Sequence, residues 1–169
     1  GDSINHLSDT SASKASEVVE VLGRIGGVSK IFGLTTVQAG ALSSAFLALG
    51  KPPEVAATSI NALLLKLQTA DKQPAKFASA LKTLGLSANG LKDSIQNDAQ
   101  GALISFLETL KEVPKEEQMG ILFDLFGAEY SDDIALLVGG LENYTKALDN
   151  VSDKTKYLGS MNREFETRS

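Results

Sequence analysis

One apolar spacing recurs along almost the whole chain and is interrupted about every dozen residues. Val18, Val21, Leu22 and Ile25 follow the i, i+3, i+4, i+7 rule of a single buried helix face. Ile60, Leu63, Leu64 and Leu67 repeat it, as do Leu103, Phe106, Leu107 and Leu110, and Ile134, Leu137, Val138 and Leu141. Phe77, Leu81 and Leu84 form a shorter version. No stretch alternates apolar and polar residues long enough to make a strand. The fold class is therefore all-α.

The interruptions predict where the helices begin and end. Thr35 with Gln38 reads as a capping box, in which each side chain satisfies an orphan backbone donor of the other. Ser87 and Asp98 read as N-caps. Pro52-Pro53, Pro74 and Pro114 suit a first helical turn, where a missing N–H costs little. Gly50, Gly85 and Gly127 follow Leu49, Leu84 and Phe126, where a left-handed residue ends a helix. These signals predict about eight or nine helices, near 15–25, 35–49, 53–69, 74–84, 87–96, 98–112, 114–126 and 131–150. Connections of about two to six residues fold them into an irregular multi-helix bundle. No repeat of solenoid period is present. Residues 1–150 are expected to form the helical domain, and the polar residues 151–169 a linker toward the next segment of a longer parent. The opening Gly1-Asp2-Ser3, without an initiator Met, is expected of an excised piece.

Charge and composition remove several classes of function. The net charge is −5, and residues 86–169 carry eight Lys/Arg against fifteen Asp/Glu, so a nucleic-acid surface is not supported. With no cysteine, the chain offers neither a disulfide framework nor a thiolate zinc site. Ile31–Gly50 is uncharged and long enough to span a bilayer, but its Thr, Gln and Ser residues and the internal capping box oppose that reading.

The residues that could carry chemistry each have a plainer role. Gly23-Arg24-Ile25-Gly26-Gly27-Val28-Ser29-Lys30 lacks the glycine spacing and preceding strand of a phosphate loop. It reads as a helix end and tight turn whose small residues admit a neighbouring helix. His6, the one histidine, has only Asp2 and Asp9 loosely placed near it and reads as a solvated polar residue. Glu129, Asp132 and Asp133 lack the alternating ligand spacing of a calcium loop, and Ser131-Asp132-Asp133 reads as the capped start of a helix. Glu116 and Glu117 take the same first-turn role after Pro114. No serine stands in a nucleophile elbow. Catalytic, cofactor-binding and metal-binding residues are therefore all assigned as none, and no enzyme activity is expected.

The wording of the chain points further. Pro53-Glu54-Val55-Ala56-Ala57-Thr58, Ala102-Leu103-Ile104-Ser105-Phe106-Leu107 and Leu125-Phe126-Gly127 occur in an order and at distances that resemble the tail tape-measure proteins of long-tailed bacteriophages and prophages. Val21–Val28, Phe32-Gly33-Leu34-Thr35, Leu84-Gly85-Leu86-Ser87, Asp98–Ala102, Pro114–Gln118 and Gly159–Phe165 extend the resemblance over most of the chain. One departure is Gly90, where similar proteins often carry an acidic capping residue. The resemblance implies a structural segment of a long, helix-rich virion protein that sets tail length and scaffolds the tail tube. Its implied partners are tail tube proteins, tail-tip or baseplate proteins and tail assembly chaperones. Its implied locations are the virion tail and, during assembly, the host bacterial cytoplasm. Such proteins leave the tube at infection and assist genome passage. No cofactor is implied and no site residue is carried over. Self-association through surfaces that the parent covers is a further expectation. Two alternatives stand beside this reading: a helical interaction module of another large assembly, and a membrane-active segment using Ile31–Gly50.

Overall fold

A computed structural model describes residues 2–150, with side chains from Lys14 onward. The order is α1 (Asp2–Phe32), α2 (Thr36–Ala48), α3 (Pro53–Gln68), a 3-10 turn (Ala70–Lys72), α4 (Ala75–Thr83), α5 (Ala88–Asn97), α6 (Ala99–Lys111), α7 (Lys115–Gly139) and α8 (141–150). No strand occurs among the described residues, and the all-α expectation holds.

Caps fall where the sequence places them. Gln38 N–H donates to Thr35 Oγ1 at 3.1 Å, and Thr35 N–H donates to Gln38 Oε1 at 3.0 Å. Ser87 Oγ accepts from Gly90 N–H, and Asp98 Oδ1 accepts from Gly101 N–H. Because Asp98 is also the last residue of the α5 turn, one residue ends α5 and starts α6. The cap at Ser87 therefore forms with Gly90 in place of an acidic residue.

Two interhelical hydrogen bonds fix the first layer. Asn61 Nδ2 donates to the Arg24 carbonyl and Gln68 Nε2 to the Ile31 carbonyl, each across 37 residues. The partners are spaced seven apart on both helices, so α1 and α3 run parallel with a constant offset. Between them α2 returns antiparallel, and Val21, Ile25, Leu42, Phe46, Ile60, Leu64 and Leu67 meet in one fully buried seam. The remaining helices close over the other side of α3, where Phe106 and Phe126 pack edge to face with ring centres 6.3 Å apart. Tyr144 on α8 is fully buried in the same core.

Four boundaries differ from the sequence reading. α1 starts at Asp2 instead of near residue 15, and it runs on to Phe32 without a turn at Gly26-Gly27. The buried positions Val21, Ile25, Ser29 and Phe32 keep helical spacing through the glycines, and this packing outweighs a helix-interior glycine cost of about 1 kcal/mol each. Nor do those glycines admit a neighbour, since a Cβ at Gly23, Gly26 or Gly27 would meet nothing within 4 Å. Gly26→Ala and Gly27→Ala are therefore each expected to raise the unfolding free energy by about 0.5–1 kcal/mol in denaturant titrations. A turn there would give the opposite sign.

The third difference lies at Gly127. Its φ of 81° and ψ of 171° break α7 without any loop, so helix resumes at Ala128, not at residue 131. The fourth is that α8 is separate, because α7 ends at Gly139 with Gly140 as its C-cap. One close approach was not singled out from sequence. Gly33 has φ +115°, and a Cβ there would lie 2.9 Å from that of Ala99, so glycine lets the start of α6 press against the α1–α2 turn.

Candidate functional site

A cleft of about 750 Å³ opens where the ends of five helices converge. Ile31 and Gly33 come from the end of α1, Gln38 from α2, Gln68 from α3, Lys92 from α5, and Asp98 and Gln100 from the start of α6. Both helix N-termini that reach it, of α2 and α6, are already capped by Thr35 and Asp98. Lys92 Nζ is 3.1 Å from Asp71 Oδ1, and this hydrogen bond holds the Asp71 carboxyl below the usual carboxylate range. The lining thus has no free cationic cluster for an anion. It also has no paired acid and base placed for proton transfer.

Behind the cleft wall, Gln100 Nε2 donates to the Tyr144 hydroxyl at 2.6 Å. Gln100 Oε1 is buried and has no donor among the described residues. Burial pushes the Tyr144 hydroxyl above the ordinary tyrosine range, against a smaller opposing effect of the Gln100 hydrogen bond. The sign follows directly. The unfolded chain releases this proton near pH 10 while the fold retains it, so Tyr144 supports the fold below pH 10 and that support declines above it. Between pH 10 and 11 the unfolding free energy should fall by about 1 kcal/mol more in the native chain than in Tyr144→Phe, measured by denaturant titration at each pH.

The acid cluster singled out from sequence has a different role from the one expected. Asp133 does not cap a helix start, because helix begins three residues before Ser131. Its Oδ1 is 2.8 Å from Lys51 Nζ, and its Oδ2 accepts from Ser59 Oγ at 2.7 Å. The carboxylate therefore ties the second arm of α7 to α3 and to the α2–α3 turn. Ser131 is buried, with its hydroxyl directed at the Ala128 carbonyl, also not a cap. Asp132 is exposed, and Glu129 lines a shallow 270 Å³ groove with Glu54, Tyr130 and Asp133. Glu116 and Glu117 do occupy the first turn of α7. His6, as a side chain, lies outside the described residues, as does the whole proposed linker 151–169.

Sequence reasoning missed the Lys51–Asp133–Ser59 link and the cleft. Ser59 and Asp133 are 74 residues apart, and no local pattern connects them. Among the described residues no group of three or more His, Cys, Asp or Glu could hold a metal ion. No helix among them is long and apolar enough to cross a membrane, and Ile31–Gly50 is divided at Gly33–Thr35.

With no reactive constellation among the described residues, the likeness to other proteins becomes the informative observation. The chain matches the phage-related minor tail protein family over residues 1–127, which is more than half of its length. It belongs to that family. This minor tail segment is also 34% identical over 165 residues to the "Probable tape measure protein" of Halomonas phage phiHAP-1. That alignment takes in 98% of the segment and 19% of the relative, so the segment spans about a fifth of the curated relative it matches. No solved structure matches it. The resemblance to phage tail tape-measure proteins read from the sequence phrases is thereby supported.

Proposed function

We propose that this minor tail segment is a structural, non-catalytic part of a tail tape-measure protein, contributing to tail length and to assembly of the tail tube. The observation that carries the proposal is the family match over residues 1–127, joined by likeness to a tape measure protein along nearly the whole chain. The side chains support it in their own way. Asp133, in the acid cluster, is used in holding helices together, and the 750 Å³ cleft presents no nucleophile beside a base.

In this reading the partners are tail tube subunits, tail-tip or baseplate proteins and assembly chaperones, met first in the host cytoplasm and then in the virion tail. Residues 1–150 act as the folded unit, and 151–169 lead into the next part of the parent. The segment is a compact bundle when isolated. Within a tube it either occupies one end or opens its interhelical turns. Pro53 at the start of α3, and Pro74 and Pro114 at two further helix starts, keep it from becoming one uninterrupted helix without kinks. In-frame removal of residues 1–169 from the parent gene tests the proposal through the length of the tails that assemble.

A further inference from the structure

We propose that Asn89 is a self-modification site, converted through the backbone nitrogen of Gly90 to aspartate and isoaspartate, with the Ser87 cap setting the rate. Asn89-Gly90 is the one Asn-Gly pair in the chain. Glycine in second place favours the reaction, because no Cβ hinders the approach of its nitrogen to the asparagine side chain. Both residues are exposed, and Ser87 and Gly90 line a groove of about 280 Å³ through which water and base reach the peptide link.

The chemistry needs only water and base. Base removes the Gly90 amide proton, and the nitrogen adds to Asn89 Cγ. The N–Cγ bond forms, the Cγ–Nδ2 bond breaks, and Nδ2 leaves as ammonia after taking a proton from solvent. Water then opens the cyclic imide. Addition at Cγ returns the normal main chain with an aspartate. Addition at the Asn89 main-chain carbonyl carbon leaves the chain running through Cγ as isoaspartate.

Folded α5 holds this step back in two ways. The Gly90 N–H donates to Ser87 Oγ at 3.1 Å, so the proton that must leave is held in the cap. Helical ψ at Asn89 also keeps the Gly90 nitrogen out of ring-closing geometry with Cγ. The restraint is local. The buried residues of α5, Leu91 and Ile95, both lie beyond Gly90, and a glycine inside the first turn weakens it. That turn therefore opens without the bundle, and the reaction proceeds from the opened state.

The two products differ in effect. No acidic residue stands in the first turn of α5, and an aspartate there adds negative charge that a helix start favours. Isoaspartate adds a carbon to the main chain and shifts the phase at which Leu91 and Ile95 meet the core. It loosens α5, which the Lys92–Asp71 ion pair ties to the 3-10 turn.

Peptide mapping by mass spectrometry, on the full chain held at mildly alkaline pH, tests the proposal. Asn89 should be the first asparagine converted, about tenfold or more slowly in the folded chain than in urea. Ser87→Ala should speed conversion in the folded chain about fivefold, the ratio that loss of an ordinary cap imposes on local opening, and change nothing in urea. Ser87→Thr, which keeps a cap, should stay within about twofold of the native rate. In the isoaspartate form the amides of residues 91–97 should exchange about tenfold faster. Earlier conversion of another asparagine, equal rates folded and in urea, no conversion in the folded chain, a folded rate unmoved by Ser87→Ala, or unchanged exchange in the isoaspartate form would each overturn the proposal.

Discussion

Replacing Gly127 with alanine should cost the fold about 2–3 kcal/mol. The residue holds φ 81° and ψ 171°, a region that is essentially reserved for glycine. Relief by straightening α7 is closed off by the apolar pattern. The first arm buries Ile121, Leu122, Leu125 and Phe126, and the second buries Ser131, Ile134, Leu137 and Val138. At 100° per residue these two faces would point roughly 160° apart on a straight helix. Straightening would thus bring Ile134, Leu137 and Val138 into water, at about 1.5–3 kcal/mol each, and the strained kink is the smaller loss. Gly120→Ala on the same helix supplies the contrast. A Cβ there would meet nothing within 4 Å, so that variant should gain about 0.5–1 kcal/mol. Denaturant titration of the two variants decides the matter. Equal effects at both positions would remove the phase-breaking role assigned to Gly127.

The second large effect is expected at Asp133. Asp133→Ala strips an acceptor from Ser59, which is 1% exposed, and leaves Lys51, only a quarter exposed, without its counter-charge. Losing a partly buried charged acceptor of this kind costs about 3 kcal/mol. Asp133→Asn keeps an acceptor for Ser59 and should cost about half as much. The exposed Asp132→Ala should stay within about 0.5 kcal/mol of the native chain. A capping cluster would show the two aspartates behaving alike. A double-mutant cycle between Lys51→Ala and Asp133→Ala should return a coupling above about 1 kcal/mol, and a coupling near zero would dissolve the link.

These two sites also show what was legible in the chain and what was not. Helix class, the Thr35–Gln38 capping box and the caps at Ser87 and Asp98 all follow from short-range chemistry, and each appears in the structure. Gly127 was legible as a break because it follows Phe126 where a left-handed residue ends a helix, although the immediate restart at Ala128 was not. The reading failed at Gly26-Gly27, where glycine was taken as punctuation. The spacing of Val21, Ile25, Val28 and Phe32 already carried the helix through, and burial of that face outweighs a local propensity cost. Asp133 was misread for the opposite reason. Its partners lie on α3 and on the turn before it, contacts that exist only once the helices are packed. The cleft, built from the ends of five helices, shares that origin. Function was legible only as resemblance, since no spacing of residues in the sequence points to a particular chemistry.

Tail length is the most direct measure of the proposed role. Electron microscopy of particles made after in-frame deletion of residues 1–169 should show tails that are shorter, by about 250 Å if every deleted residue counts as helix at 1.5 Å. If the segment is counted as the compact bundle, whose longest helix has 31 residues, the loss should be no more than about 45 Å. Either shortening supports a part in setting length, and its size says which form the segment takes in the tail. Tails of unchanged length would contradict that role.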